Sequence, residues 1–465
     1  MNTGSNTEHI ALSPILHHWV TGLLSNHTAL LDLINNEGSP VNIHCLQPFT
    51  ENLEKYRSVL KKYDLRHRIY FARKANKCLE FAQQSFASGE CVDTASYNEL
   101  KQCLDTGIEP RQLILTAAIK TRDVLTLAVK NKVTVVLDND DEFELLKEVT
   151  TELQTPVTVN IRLGGFYFKG KKLHSRFGFS LKQAFALILK IHHSDMELNY
   201  SGLHFHLNGY SVAERAAAIE QCVELIDQLK EKNIPTHSLD IGGGFLVNYL
   251  EEKSQWQTFF HELKRASLGK RPPITYRNDA LGMVKIGGEL YGEPSVYPYY
   301  NNIGKEKFLE GILQTPSEKY GKPIYALIKE QNLELRMEPG RSLLDQAGIT
   351  VARVAFRKKD SEGNLLAGLE MNRTQLRSSS ADFLLDPIHI PRQENAHTDR
   401  ESCYGFLVGG YCLEQELILK RKIRFDQFPE IGDLIVFPNT AGYMMHFFES
   451  EAHLFPLAKN VFVQP

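Results

Sequence analysis

The chain has 465 residues, 42% of them hydrophobic, and a formal net charge of -3. That is enough apolar material for two or three domains. The absence of a basic stripe speaks against nucleic acid as a partner, and Lys169–Lys172 and Lys420–Lys422 are short enough to read as solvated loop or edge charges.

Seven cysteines, at 45, 78, 91, 103, 222, 403 and 412, include no C-x-x-C pair. This fits reduced thiols better than a disulfide framework or a structural zinc site. The polar stretch Met1–His9 has no charged start followed by an apolar core, so it does not read as a secretory signal. No apolar run reaches the roughly 18 residues that span a bilayer. The expected location is the cytoplasm, with no membrane partner.

From about 40 to 345, short apolar runs alternate with amphipathic stretches. The runs are Ile69–Ala72, Gln112–Thr116, Val133–Leu137, Val157–Leu163, Gly202–His206, Ser238–Ile241 and Leu333–Met337. Leu181–Ile191 and Ala213–Lys230 carry helical periodicity between them. In the second, Ala217, Ile219, Cys222, Val223, Leu225, Ile226 and Leu229 form the expected buried side. Seven or so such units predict an α/β fold with a parallel sheet, either a (β/α)8 barrel over 41–345 or a doubly wound sheet; at this length the barrel is favoured. Residues 277–315, dense in Tyr, Gly, Asn and Pro, read as an ordered insertion near a barrel mouth. After 345 the texture changes. Ile349–Arg357, Gly405–Val408, Leu417–Ile423, Asp433–Phe437 and Val461–Val463 look like strands without long helices between them, with a turn at Asp360–Asn364 and a polar loop at Arg392–Ser402. This predicts a C-terminal antiparallel β domain over 346–465, and residues 1–40 are expected to pack with it.

Four segments carry candidate chemistry. Lys74, in Phe71-Ala72-Arg73-Lys74, follows a strand and so sits at the catalytic rim of a barrel, where a desolvated lysine can attack a carbonyl. Taken alone, it reads more readily as an exposed lysine at a helix start. The triple glycine Gly242-Gly243-Gly244 follows another strand and could bring backbone N–H groups close to a phosphate, or be a plain turn. In Glu338-Pro339-Gly340-Arg341, Glu338 could keep a pyridine nitrogen protonated, with Gly340 and Arg341 adding phosphate contacts; a surface ion pair is the plain alternative. His204 and His206 share one face of a strand. They suit a metal (though no third ligand follows at a recognisable distance), a ring stacked on a flat cofactor, or satisfied core histidines.

In this order and spacing the four segments resemble the alanine-racemase-like decarboxylases, the family of ornithine, diaminopimelate and arginine decarboxylases, over roughly residues 40 to 455. The resemblance implies pyridoxal 5'-phosphate as cofactor, no metal, and a homodimer with the active site shared between subunits. It implies that Lys74 bonds the cofactor aldehyde and that His206 stacks on the ring. Glu338 would pair with the ring nitrogen, and Gly242, Gly243, Gly244, Gly340, Arg341 and Tyr443 would hold the phosphate. Asp93 and Glu99 match acidic positions near the lysine, and Arg162 matches an arginine beneath the ring. Ser175-Arg176-Phe177-Gly178 resembles the family's S-[KR]-F-G turn, and Gly409-Gly410-Tyr411-Cys412 its G-P-x-C segment. Cys412 would cross to the partner's site and return a proton to Cα.

The departures are informative. The residue after the cysteine, acidic in relatives that grip a distal amine, is Leu413, and an apolar side chain cannot offset the desolvation of an ammonium. Asp386 matches another acidic substrate-side position. Gly209 stands where a small polar residue is usual, and Gly410 replaces a proline. The expected substrate is therefore an amino acid with an acylated distal amine, such as a citryl conjugate in siderophore assembly, its added carboxylates met by Arg373 or Arg377. Diaminopimelate, ornithine or lysine decarboxylation is the alternative on the same chemistry. An amino-acid racemase, with Cys412 or Tyr443 as second base, and a non-catalytic cofactor-binding protein are the rivals from other classes.

Overall fold

The computed structural model describes residues 10–393 and 402–464. Met1–His9 and most of the predicted 392–402 loop lie outside the described residues. The chain divides into two compact units. One comprises Phe49–Leu246 and Ile303–Leu343; the other comprises Met1–Pro48, Val247–Asn302 and Leu344–Pro465.

The first unit is a closed barrel of eight parallel strands. In chain order they are His67–Ala72, Cys91–Thr94, Leu113–Leu115, Thr134–Leu137, Val157–Leu163, Leu198–Phe205, Ser238–Asp240 and Glu334–Met337, and the eighth closes on the first through Arg336 opposite Arg68. Cys91–Thr94 is the strand the apolar runs did not reveal, because Asp93 and Thr94 interrupt its hydrophobicity. Alternation along the strands divides the core. Tyr70, Cys91, Ile114 and Val136 pack in one layer across the first four strands. Phe71 faces the other way, onto Phe49 of the helix Leu46–Lys62 and Phe81 of the helix Leu79–Ala87, with ring centroids 5.2 and 6.2 Å away. Helices follow the strands where caps are available: Asn139 accepts from the Glu142 amide, and Ser180 forms a reciprocal box with Gln183. In Val212–Lys230 the buried face includes Arg215, Ala216 and Ala218 rather than Ala217.

The second unit is built on a mixed sheet. Its path runs Ile388–Ile390, Leu434–Phe437, Gly348–Lys359, Leu365–Leu369, Cys403–Val408, Ile423–Phe425. Most pairings are antiparallel; Leu365–Leu369 with Cys403–Val408 is parallel. Val41–His44, placed by sequence at the start of the barrel, pairs here with Gly348–Lys359 and with Lys459–Phe462. The helices His18–Ser25 and His27–Glu37 cover the sheet, with Trp19, Leu30 and Ile34 against Val41, Ile349 and Val436. Leu417–Ile423, expected as one strand, reduces to an isolated bridge at Leu417 and the strand Ile423–Phe425.

The 277–315 stretch is divided. Its first part groups with the second unit, whereas the helix Lys305–Gln314 belongs to the barrel unit. The reason is the tyrosines: Tyr297 and Tyr299 pack with Tyr249, and Tyr299 meets Phe383 edge-on at 6.0 Å. Tyr297 and Tyr299 are therefore core residues, Tyr299 with no exposure at all, whereas Tyr291 stays exposed.

Asp386, expected on the substrate side, is occupied structurally. One oxygen accepts the Leu12 amide at 2.7 Å, and the other takes the buried Arg421 guanidinium. Removing it would leave a buried cation uncompensated. Asp386→Ala is expected to lose about 2–4 kcal/mol of stability in denaturant unfolding, with the KM for substrate unchanged. A raised KM at unaltered stability would return Asp386 to the substrate.

Candidate active site

The C-terminal ends of the barrel strands bring the predicted barrel residues together. Lys74 lies on the short helical turn after the first strand, with its side chain about one-third exposed. Its Nζ is 2.9 Å from Asp93 Oδ2, at the end of the second strand, and 3.9 Å from Glu338 Oε2, just past the eighth. Asp93 is fully buried, and its other oxygen accepts from the Thr116 hydroxyl. Burial, then Glu338, pushes the Asp93 carboxyl up, against the pull of Lys74. Glu338 is the opposite case. Burial works against its ionisation, yet His204, then Lys74 and His206, hold its carboxyl well below the usual range.

The partner of Glu338 that sequence reasoning left unassigned is His204. Its Nε2 lies 3.0 Å from Glu338 Oε1, and both side chains are buried. Burial lowers the His204 pKa, so the ring meets the carboxylate as a neutral Nε2–H donor. This leaves Oε2 facing Lys74. Asp240, at the end of the seventh strand, also stands by; atoms of His204, Asp240 and Glu338 lie within 4.8 Å of one another. Of the H-x-H pair only His204 belongs to this cluster, and its two companions come from distant strands where spacing could not reveal them.

His206, one residue past the sixth strand, accepts the Gly243 amide through Nδ1 at 3.1 Å. Burial, with Lys74 beside it, pushes the imidazole down to about 3, so it is neutral. The glycines are needed for close approach. A Cβ at Gly243 would lie 2.5 Å from the Glu338 carbonyl, and Gly242 and Gly244 have φ of +66° and +80°. The Gly242 amide donates to Asp240 Oδ1 and the Gly243 amide to His206, which leaves Gly244 N–H without a protein acceptor among the described residues. Arg215 also escaped the sequence reading. Its buried guanidinium donates to the carbonyls of Gly209, Gly243 and Gly244 at 3.0, 2.9 and 3.3 Å, fixing the shape of the cradle. A lone arginine on an otherwise apolar helix face was its signal.

Other predicted residues are placed less centrally. Glu99 caps its own helix region, accepting the Ala95 amide at 2.7 Å. Arg162 lies 3.5 Å from Asp138 and 4.2 Å from the centre of the Phe177 ring. Gly340 and Arg341 begin the turn after Glu338, where the Leu343 amide donates to the Gly340 carbonyl.

The second unit holds a separate group. Cys412 is exposed, and Leu413 beside it is 51% exposed. Tyr443 has a left-handed backbone (φ 72°), with its ring 5.7 Å from Phe447. Arg373, Arg377, Glu414 and Gln415 line a cavity of about 320 Å³ with Tyr276, Arg277, Asp279, Leu417 and Lys420. Arg373 is tied to the Gln415 carbonyl and to Glu416, and Lys420 to Asp279. Arg377 has no ion-pair partner among the described residues, and burial together with Arg373 pushes its pKa down.

The barrel residues fit pyridoxal phosphate: an amine beside an ionised buried carboxylate, a neutral ring near both, and a glycine turn with a free N–H. Comparison with known proteins agrees. Residues 49–273 match the family model described as "Pyridoxal-dependent decarboxylase, pyridoxal binding domain". An uncharacterized protein of Sinorhizobium fredii, y4yA, is 28% identical over 96% of this chain and 92% of its own. Diaminopimelate decarboxylase of Staphylococcus aureus is 22% identical over 89% and 86%. In structure, diaminopimelate decarboxylase from Helicobacter pylori complexed with L-lysine matches with a TM-score of 0.69 at 17% identity, covering 93% of each chain. Over residues 49–273 the chain is thus similar to the pyridoxal-binding domain of the pyridoxal-dependent decarboxylases, and the solved structures share its fold.

Proposed function

We propose that the chain removes CO2 from Cα of an amino acid whose distal amine is acylated by a carboxylate-bearing group, a citryl conjugate of the siderophore type being the model. The observation that carries the chemistry is the approach of Lys74 to Glu338 at one end of the barrel, 3.9 Å apart. Pyridoxal phosphate, when bound, supplies the electron sink that accepts the pair left on Cα as CO2 departs.

The protein residues do the rest. Lys74 would hold the cofactor by its aldehyde end and would give it up to the substrate amine. Asp93, 2.9 Å from Nζ, steadies the ammonium between turnovers. Glu338 would hold the ring nitrogen of the cofactor protonated through the oxygen that His204 leaves open. His206, held neutral, would stack on the cofactor without competing for its charge. Gly244 and Arg341 take the phosphate, with Arg215 acting through the glycine backbone. Cys412 returns the proton to Cα from the partner subunit, and Tyr443 completes the phosphate site; both roles rest on resemblance.

The acylated substrate is supported by what surrounds the Cys412 turn. Leu413 offers no charge to a distal ammonium, and Asp386 is committed to Arg421 and Leu12. Around the neighbouring cavity Arg373 is paired with Glu416 and Lys420 with Asp279, which leaves Arg277 and Arg377 to one carboxylate, Glu414.

Purified enzyme is expected to release CO2 from citryl-acylated diamino acids at least tenfold more efficiently than from free ornithine, lysine or diaminopimelate, and Lys74→Ala to abolish it. Strong turnover of the free diamino acids alone would reject the acyl specificity. Loss of optical activity without CO2 would instead indicate a racemase.

Sharing of the site between subunits has its own check. Inactive Lys74→Ala and Cys412→Ala enzymes, mixed and allowed to exchange subunits, should recover about a quarter of the native activity. No recovery despite exchange would place both residues in one subunit's site.

His204 is a positioning residue in this scheme. A carboxyl held low in pKa contributes above its unfolded value and loses its effect as pH falls through the folded value. His204→Leu removes the donor, so burial then dominates and the Glu338 pKa rises. The acid limb of cofactor retention should move up by about one pH unit or more, with His204→Gln restoring most of it. An unmoved limb in a folded His204→Leu protein would remove His204 from the scheme.

A further inference from the structure

The loop between the fifth and sixth barrel strands leaves the same rim as Lys74. From Gly164 to Ser180 it contains Lys169, Lys171, Lys172, His174 and Arg176 and no acidic residue, in a chain of net charge -3. It is an ordered element. Tyr167–Phe168 pairs with Lys171–Lys172 across a two-residue turn in which Lys169 and Gly170 have φ of 48° and 73°. Such a turn suits the twist of a tight hairpin. Its base is anchored: the Tyr167 amide and carbonyl bond the Gln221 side chain at 3.0 and 2.8 Å, and buried Phe166 meets Phe205 edge-on at 5.3 Å. The Phe177 ring links the loop inward, with Arg176 at 3.9 Å and Arg162 at 4.2 Å from its centre.

The charges on this hairpin are unspent. Lys169, Lys171, Lys172, His174 and Arg176 are all exposed, and none has a carboxylate within ion-pair distance among the described residues. Some exposed lysines elsewhere are paired: Lys62, Lys101, Lys190, Lys319, Lys322 and Lys329 each sit within 3.2 Å of a carboxylate oxygen. Unpaired cations on a hairpin that leaves this rim project their field over it.

We propose that the 166–173 hairpin, with His174 and Arg176, is a cationic collar that draws small, multiply charged anions to the Lys74 rim. Two ligands share that chemistry, the phosphate of the cofactor and a substrate bearing added carboxylates. The inference rests on the Lys74 rim being the cofactor site.

The test is stopped-flow uptake of pyridoxal phosphate by apoenzyme, with uncharged pyridoxal as control, for the native chain and for K169Q/K171Q/K172Q. Native uptake should slow about tenfold from low to high salt. The triple variant should be roughly three- to tenfold slower at low salt with a flatter salt dependence, its off-rate and its pyridoxal uptake being native. K171E/K172E should be slower still, and thermal melting confirms that both variants fold. A second arm compares kcat/KM for a citryl-acylated and an acetylated diamino acid. Loss confined to the citryl substrate assigns the collar to substrate; loss confined to cofactor uptake assigns it to the cofactor. Native rates and salt slopes in both arms overturn the collar alone. Failure of the apoenzyme to take up pyridoxal phosphate at all overturns the site and the collar together.

Discussion

A carboxylate kept ionised out of water is the constraint on which the barrel's chemistry depends. Burying Glu338 without partners would neutralise it, because a low dielectric disfavours the charged form. Here the eighth strand delivers it between a histidine donor from the sixth strand and an ammonium from the first. The barrel closes the eighth strand onto the first, through Met337 opposite Ile69, so the lysine and the carboxylate are neighbours in space although 264 positions separate them. Strand order, more than any local motif, makes the pair.

The same constraint explains the glycines. Gly242 and Gly243 lie where the seventh strand's exit passes the backbone of Glu338 and the ring of His206, and a side chain at Gly243 would drive into the Glu338 carbonyl. The segment is therefore a spacer for the carboxylate as well as a cradle. Arg215 completes it by bonding the carbonyls that the tight turn leaves pointing inward. Two of the three amides serve the protein itself, so the phosphate reading of this turn narrows to Gly244 with the Gly340–Arg341 turn.

Much of this was legible in the sequence. The apolar runs located seven of the eight strands because a parallel barrel strand is buried on both faces. The eighth, Cys91–Thr94, was hidden by the very residue, Asp93, that meets Lys74. Lys74, His206, Glu338 and the glycines were legible as an ordered set. His204 and Arg215 were not, since each matters through a partner far away in sequence. In the second unit, short strands and a parallel pairing blurred the pattern. Asp386 shows the limit of position matching, for an acidic residue in a familiar place is committed to Arg421, a partner that only the fold supplies.

The distribution of charge separates the reaction from its selectivity. In the barrel Asp93 and Glu338 are matched by Lys74 and His204, whereas Asp240 keeps one buried oxygen without a hydrogen-bond partner among the described residues. Under the proposed reading, choice comes from groups with unspent charge, and on the barrel those are the unpaired lysines of its own hairpin. Under that proposal, a conjugate carrying two or more carboxylates is attracted by the hairpin at long range, whereas a free distal ammonium is not.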